Sequence, residues 1–271
     1  MIDLRSALEI ATATHSGMVR SHNEDSIAAD QEIGLAVLAD GMGGYNAGEV
    51  ASGIAVELIK TEMKKVLADK RPEDLNGQTA ERLISEHATR ANSAIYNASQ
   101  SQPQYSGMGT TLVVALWHDN QMSVGHIGDS RLYRLRGGAL GQVTRDHSLL
   151  QEQIESGMIT KEQARHSQNK NLVTRAVGID PEVETEVHTY PAQPGDIYLL
   201  CSDGLSDMVT DEDIQLTLAS LQANLPLAAQ QLVQQANDNG GRDNISVILV
   251  RIVKDFPART GWREKLTGWF R

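Results

Sequence analysis

Short apolar runs alternate with stretches of helical periodicity along the chain. Residues 8–18 read as a strand entering a turn, and residues 35–39, Leu-Ala-Val-Leu-Ala, as a short buried strand. That strand is expected to end at Asp40, because Gly41, Gly43 and Gly44 follow closely and open φ > 0 conformations. Val50, Ile54, Leu58 and Ile59 then recur at helical spacing, predicting a helix to about residue 67. Leu83, Ile84, Ala88, Ala91 and Ile95 share one face of a second helix over about 78–99.

The period then changes. Residues 110–117, 122–127 and 131–135 are Val-, Leu- and Ile-rich strands separated by turns at His118-Asp-Asn-Gln and Gly137-Gly. Consecutive short strands of this kind form meanders, so the sheets are expected to be antiparallel. Residues 148–168 are polar and weakly helical, with a capping box at Thr160-Lys-Glu-Gln163, and read as a mobile flap. Further strands are predicted at 182–190 and 197–201, helices from Thr210 and from Pro226, and a closing strand at 245–253. The pattern predicts an α+β fold of stacked sheets covered by helices, and 271 residues make one large domain or two small ones. The tail over 254–271 is net basic and holds both phenylalanines and two of the three tryptophans. Trp262, Leu266, Trp269 and Phe270 would share one helical face, either packing on the domain or docking a partner or membrane surface.

Composition narrows the function. The net charge of −11 over 271 residues argues against a general nucleic-acid binder, which needs surplus Lys and Arg. A single cysteine, Cys201, excludes an internal disulfide and points to a reducing compartment. The N-terminus lacks the apolar core of a secretory signal, and no run approaches the ~18 apolar residues of a membrane span. A cytoplasmic location is the expectation.

Carboxylates recur where apolar strands end. Asp40-Gly41 follows the 35–39 strand, Gly128-Asp129-Ser130 follows 122–127, and Ser202-Asp203-Gly204 follows 197–201. Asp243-Asn244 precedes the last strand, and Asn23-Glu24-Asp25 precedes the strand leading to Asp40. Any one of these reads as turn chemistry. Five together predict convergence on one sheet edge, where like charges repel unless cations neutralise them. Oxygen ligands, including the Gly41 carbonyl, select Mg²⁺ or Mn²⁺ over zinc. Two such ions about 4 Å apart can activate a bridging water toward phosphorus. Arg20 is then a candidate for gripping phosphate.

The ordered set Arg20-x-x-Asn-Glu-Asp25, Asp40-Gly-Met-Gly-Gly, Gly128-Asp-Ser-Arg131, Ser202-Asp-Gly204 and Gly241-Arg-Asp-Asn244 resembles the PP2C (PPM) family of metal-dependent serine/threonine protein phosphatases, and more closely its compact bacterial members. The resemblance spans about residues 8–253. It implies a four-layer αββα sandwich, with two antiparallel sheets flanked by helix pairs and the metals at one end. It also implies hydrolysis of phosphoserine and phosphothreonine in proteins by a water bridging two Mn²⁺ or Mg²⁺ ions. Carried over residue by residue, Asp40 bridges the two ions, the Gly41 carbonyl ligates one, and Asp203 and Asp243 ligate the other. Asp25 acts mainly through metal-bound water, with Glu24 beside it. Asp129, with Asp203, matches a weaker third metal position, and Arg20 matches the phosphate-binding arginine. The 148–172 segment matches the flap that shapes the substrate groove. The implied partners are phosphorylated proteins, substrates of a serine/threonine kinase, and the kinase itself.

One departure concerns the proton donor. Many relatives carry a histidine in the glycine turn where this chain has Met42 and Tyr45. Tyr45 and metal-bound water are the alternative donors. His22, His126 and His147 lie in or beside the motifs and read as structural. A cysteine phosphatase is excluded, because the position where its arginine would follow Cys201 is Asp207. Two competing readings are a catalytically silent phosphoprotein-sensing module and another two-metal hydrolase. The complete ligand set disfavours the first, and the order of the motifs disfavours the second.

Overall fold

Runs that are apolar on both alternations become strands with both faces covered. Along β10 (Ile197–Cys201) and β11 (Ile245–Ile252), Leu200, Ile248 and Val250 face one apolar layer. Leu199, Cys201, Val247 and Leu249 face another, as the two-residue period of a strand requires. The computed structural model describes residues 3–44, 47–160, 163 and 172–258.

The second sheet of the sandwich has the order β1 (Leu8–His15), β11, β10, β7 (Arg131–Arg136), β8 (Ala139–Gln142). The first has the order β2 (Asp25–Asp30), β3 (Leu35–Met42), β5 (Leu112–His118), β6 (Gln121–Ile127), β9 (Glu186–Pro191), with β4 (Gly109–Thr110) extending β3. All the pairings are antiparallel. The sheets meet face to face, with Trp117 and Tyr198 in an edge contact across the layer, ring centroids 5.5 Å apart. Helices α1 (Ala47–Ala68) and α2 (Gly77–Ser101) cover the first sheet. Helices α5 (Asp211–Leu221) and α6 (Leu225–Asp238) cover the second, with Ile214, Leu218 and Leu232 buried against it. Each Leu or Ile buried in this way contributes about 1.5–3 kcal/mol. The expected αββα arrangement is the observed one.

Local signals acted as their chemistry predicts. Thr210 caps α5 by accepting the Asp213 N–H at 3.1 Å, and Asn224 caps α6 by accepting that of Leu227 at 3.2 Å. The Thr160 capping box closes reciprocally, Gln163 N–H to Thr160 Oγ1 at 3.2 Å and Thr160 N–H to Gln163 Oε1 at 2.8 Å. Several boundaries and elements differ from the pattern. β3 continues through Asp40 to Met42, because Gly41 and Met42 pair with Thr110 and Gly109 of β4. β9 begins at Glu186 rather than at 182. The edge strand β8 and the short helix α4 (Asp203–Ser206) were not anticipated. Helix α3 (Leu149–Glu155) lies at the start of the polar 148–168 stretch.

β5 and β6 are joined by a tight turn in which Asp119 and Asn120 both take positive φ, 42° and 55°. Their side chains accept the N–H groups of Ala258 (2.7 Å) and Phe256 (2.6 Å). Phe256 is buried, as are Leu4 and Ala7 before β1. This pole is the far end of β5 from Thr111 and Asp40. Trp262, Leu266, Trp269 and Phe270 lie outside the described residues, as do Tyr45 and much of the 148–172 segment. Among the described residues, no helix is long and apolar enough to cross a membrane.

Candidate metal centre

At the other pole the strand ends bring the carboxylates together. Asp25 opens β2 and stands directly opposite Asp40 near the end of β3. Asp203 begins α4 just after β10, Asp129 follows β6, and Asp243 precedes β11. The main chain of Asp40 is tied on both sides: its carbonyl accepts from Thr111 N–H (2.9 Å) and Thr110 Oγ1 (2.8 Å), and its N–H donates to Thr111 Oγ1 (3.0 Å). Thr111 Oγ1 is also 2.7 Å from Ser130 Oγ, which links the Asp40 strand to the Asp129 loop.

Electrostatics report the convergence. Burial, then the charges of Asp25, Asp203, Asp129 and Asp243, push the Asp40 carboxyl well above the usual carboxylate range. Asp203 is raised in the same direction by burial, followed by Asp129, Asp207, Asp243 and Asp25. Burial lifts Asp25 to about 6, partly offset by hydrogen bonds to its carboxylate. Burial and the charge of Asp146 lift Asp129 to about 6. Glu24 is raised as well, first by burial. Every predicted carboxylate ligand therefore lies within electrostatic reach of Asp40.

Two hydrogen-bond sets hold the two sheets in register here. Ser202 Oγ donates to Asp25 Oδ2 at 2.8 Å and accepts the Ser246 N–H at 3.0 Å, joining β2 of one sheet to β10 and β11 of the other. Asn244 Oδ1 accepts the Glu24 N–H (2.7 Å), while its Nδ2 donates to the carbonyls of His22 (2.8 Å) and Ser16 (3.1 Å). The loop between β1 and β2 is thereby fixed, and with it Arg20, whose guanidinium donates to Asp243 Oδ2 at 2.8 Å. Gly17 of this loop has φ 78°, and a Cβ there would come 2.3 Å from the Asp243 carbonyl.

These residues fit hard cations. Asp25 Oδ1 is buried with no hydrogen-bond partner. A side chain at Gly48 would come 2.8 Å from both the Gly41 carbonyl oxygen and Glu24 Oε2, so the glycine keeps that approach open. Arg20 offsets only one negative charge among several. An all-oxygen donor set of this kind suits Mn²⁺ or Mg²⁺.

His126, His147 and Glu186 form a second group, with ligating atoms within 4.8 Å of one another. Its hydrogen bonding does not suit a metal. His147 Nδ1 accepts the Gly128 N–H at 3.2 Å, so the proton sits on Nε2, facing Glu186 Oε2 at 3.4 Å. The two rings stack at 4.7 Å, and His126 Nε2 donates to the Arg145 carbonyl at 2.6 Å. Both histidines are lowered by burial. Cys201 is buried, which pushes its thiol up to about 12 and leaves it inert.

Sequence reasoning did not single out Ser202, Thr111 or Asn244 for these roles. Ser202 and Asn244 each adjoin a predicted ligand inside a recognised motif, and that adjacency was the available signal. Thr111 carries none.

Comparison with known proteins agrees with this geometry. The protein phosphatase 2C family model matches residues 15–245. The serine/threonine phosphatase stp of Listeria monocytogenes is 38% identical over 240 residues, covering 88% of this chain and 93% of that protein. The crystal structure of the Mycobacterium tuberculosis serine/threonine phosphatase PstP superposes with a TM-score of 0.83 at 38% identity, covering 91% of this chain and 99% of that one. A PstP catalytic domain in complex with two manganese ions superposes with a TM-score of 0.80 at 38% identity, covering 92% and 99%. With five carboxylate motifs at one pole of an αββα sandwich and a family match across most of its length, this chain belongs to the protein phosphatase 2C family.

Proposed function

We propose that this chain is a metal-dependent phosphatase acting on phosphoserine and phosphothreonine in proteins, with two Mn²⁺ or Mg²⁺ ions and a weaker third. The observation that carries the reading is the charge cluster in which Asp25, Asp129, Asp203 and Asp243 all act on Asp40. The PstP domain holding two manganese ions supports manganese as a working metal. When bound, the ions would neutralise these carboxylates and supply an activated water for direct attack on phosphorus.

The chain's own residues do the rest. Asp40, the Gly41 carbonyl, Asp203 and Asp243 would hold the two ions, with Asp25 ordering the surrounding shell. Asp129 with Asp203 would hold the weaker third. Arg20, aimed by Asp243, would grip two phosphate oxygens and stabilise charge there as the ester bond breaks. The complete carboxylate set disfavours a silent phosphoprotein-sensing module.

The substrates on this reading are products of a serine/threonine kinase, including the kinase itself. Work in the cytoplasm fits a lone buried cysteine. The basic, Trp-rich segment from Lys254 onward is our candidate for docking a partner.

The test is hydrolysis of a phosphothreonine peptide with Mn²⁺, repeated with chelator and with a phosphotyrosine peptide. Turnover that needs the metal and prefers phosphothreonine supports the reading. Metal-independent turnover, or none with either metal, overturns it.

A further inference from the structure

The loop between β1 and β2 is fastened along its backbone and bare on its outer side. Gly17 N–H donates to His15 Nδ1 at 2.9 Å, and Met18 N–H donates to the Gly241 carbonyl at 2.7 Å. Asn244 holds the carbonyls of Ser16 and His22 on either side. Gly241 takes φ 49°, and a Cβ there would lie 2.8 Å from Met18 Cγ, so this glycine lets the base of the Met18 side chain rest on the Asp243 loop. Arg20 is tied to the same loop through Asp243. Residues 18 and 20 thus share one anchor, and their spacing is fixed by it.

Two neighbouring apolar side chains stand out from this anchored loop. Met18 is 68% exposed and Val19 is 70% exposed, although the run that follows them, Arg20 to Asp25, is polar. A single exposed apolar residue needs no explanation, whereas a fixed apolar patch beside a binding group marks a contact surface. The scale suits a peptide. Consecutive Cα atoms are about 3.8 Å apart, so Val19 and Met18 lie within about 4 and 7 Å of Arg20. An extended peptide advances about 3.3 Å per residue. The residues one and two positions from a phosphothreonine held by Arg20 therefore come level with this pair. Neither side chain carries a charge or a strong hydrogen-bonding group, so what they can recognise is aliphatic surface.

We propose that Met18 and Val19 form an apolar shoulder that selects phosphopeptides carrying an aliphatic residue one or two positions from the phosphothreonine. The inference rests on Arg20 gripping the phosphate, and it names the substrate class within the function proposed above. The two residues touch the neighbour of the phosphorylated side chain and take no part in the hydrolysis itself.

The experiment measures kcat/KM of the full chain with Mn²⁺ on phosphothreonine peptides flanked by serines, with one leucine or one glutamate placed at each of the two positions on either side. Wild type should prefer leucine to serine by about fivefold or more at one of these positions at least. Val19→Ser and Met18→Ser should each cut that preference to within about twofold, while hydrolysis of p-nitrophenyl phosphate and of the all-serine peptide stays within about twofold of wild type. Val19→Arg should move the preference to glutamate, a reversal that a merely structural role of the loop would not produce. Should Met18→Ser fail to fold, the two Val19 variants decide. A wild type that hydrolyses the serine-flanked peptide but does not favour leucine, or favours glutamate, overturns this inference alone. Variants that keep the leucine preference, or that lose p-nitrophenyl phosphate hydrolysis in parallel with it, also overturn it. A wild type without Mn²⁺-dependent turnover of any peptide removes the proposed function and this inference with it.

Discussion

Asp25 and Asp40 face each other directly across the β2–β3 ladder, two carboxylates in register at one end of a sheet. Like charges opposite one another weaken a ladder, and here Asp203, Asp129 and Asp243 add to the repulsion. The arrangement costs stability without cations and is neutralised when they bind.

Asp40→Asn removes the central charge. Differential scanning fluorimetry in chelator should show a melting temperature a few degrees above wild type, about 2–4 °C for each kcal/mol in a chain of this size. Mn²⁺-dependent turnover should fall at least about 100-fold. A variant with wild-type turnover would remove Asp40 from the centre.

The pH dependence follows from the same groups. Asp25 and Asp129 sit at about 6 in the folded chain, above the ordinary carboxylate value they regain on unfolding. The folded state therefore holds more protons between about pH 4 and 6, and this part of its stability declines as pH rises through that window. The buried histidines act in the opposite sense, but equally with and without metal. The melting-temperature gain on adding Mn²⁺ isolates the carboxylates. It should be larger at pH 8 than at pH 5, and an equal gain at both counts against ionised ligands at Asp25 and Asp129.

Arg20 is half-exposed and hydrogen-bonded to Asp243. Arg20→Ala should raise KM for a phosphothreonine peptide about tenfold or more and change kcat less, as loss of a charge-assisted contact predicts. Arg20→Lys should recover little, because an ammonium cannot reproduce the two-point grip. An unchanged KM in Arg20→Ala would remove it from phosphate binding.

Asn244 fastens Glu24, His22 and Ser16 at once. Asn244→Ala should destabilise the fold by about 2–3 kcal/mol, since buried partners are left unsatisfied. It should also loosen the loop that carries Arg20, raising KM as Arg20→Ala does. Urea unfolding and peptide kinetics check both effects, and a variant altered in stability alone would confine Asn244 to a structural role.

Legibility in the sequence depended on how local the cause was. Ile197–Cys201 could be delimited to the residue, because burial on both faces makes the whole run apolar. The exposed β8 offered no such contrast. The extension of β3 beyond Asp40 depends on Thr110, 70 residues away, so the glycines that predicted a stop were overruled by a distant partner. The convergence of the aspartates was legible from repetition at strand ends. What holds them was not, since the Ser202–Asp25 bond spans 177 residues and leaves no periodic trace.

The Asp119–Asn120 turn has a practical consequence. It pins the chain as far as Ala258 at the pole remote from the carboxylates. A surface or carrier attached at Ala258 would leave the carboxylate pole pointing outward, open to bulky protein clients. Immobilised in this way, the molecule should process large targets as readily as it does when free.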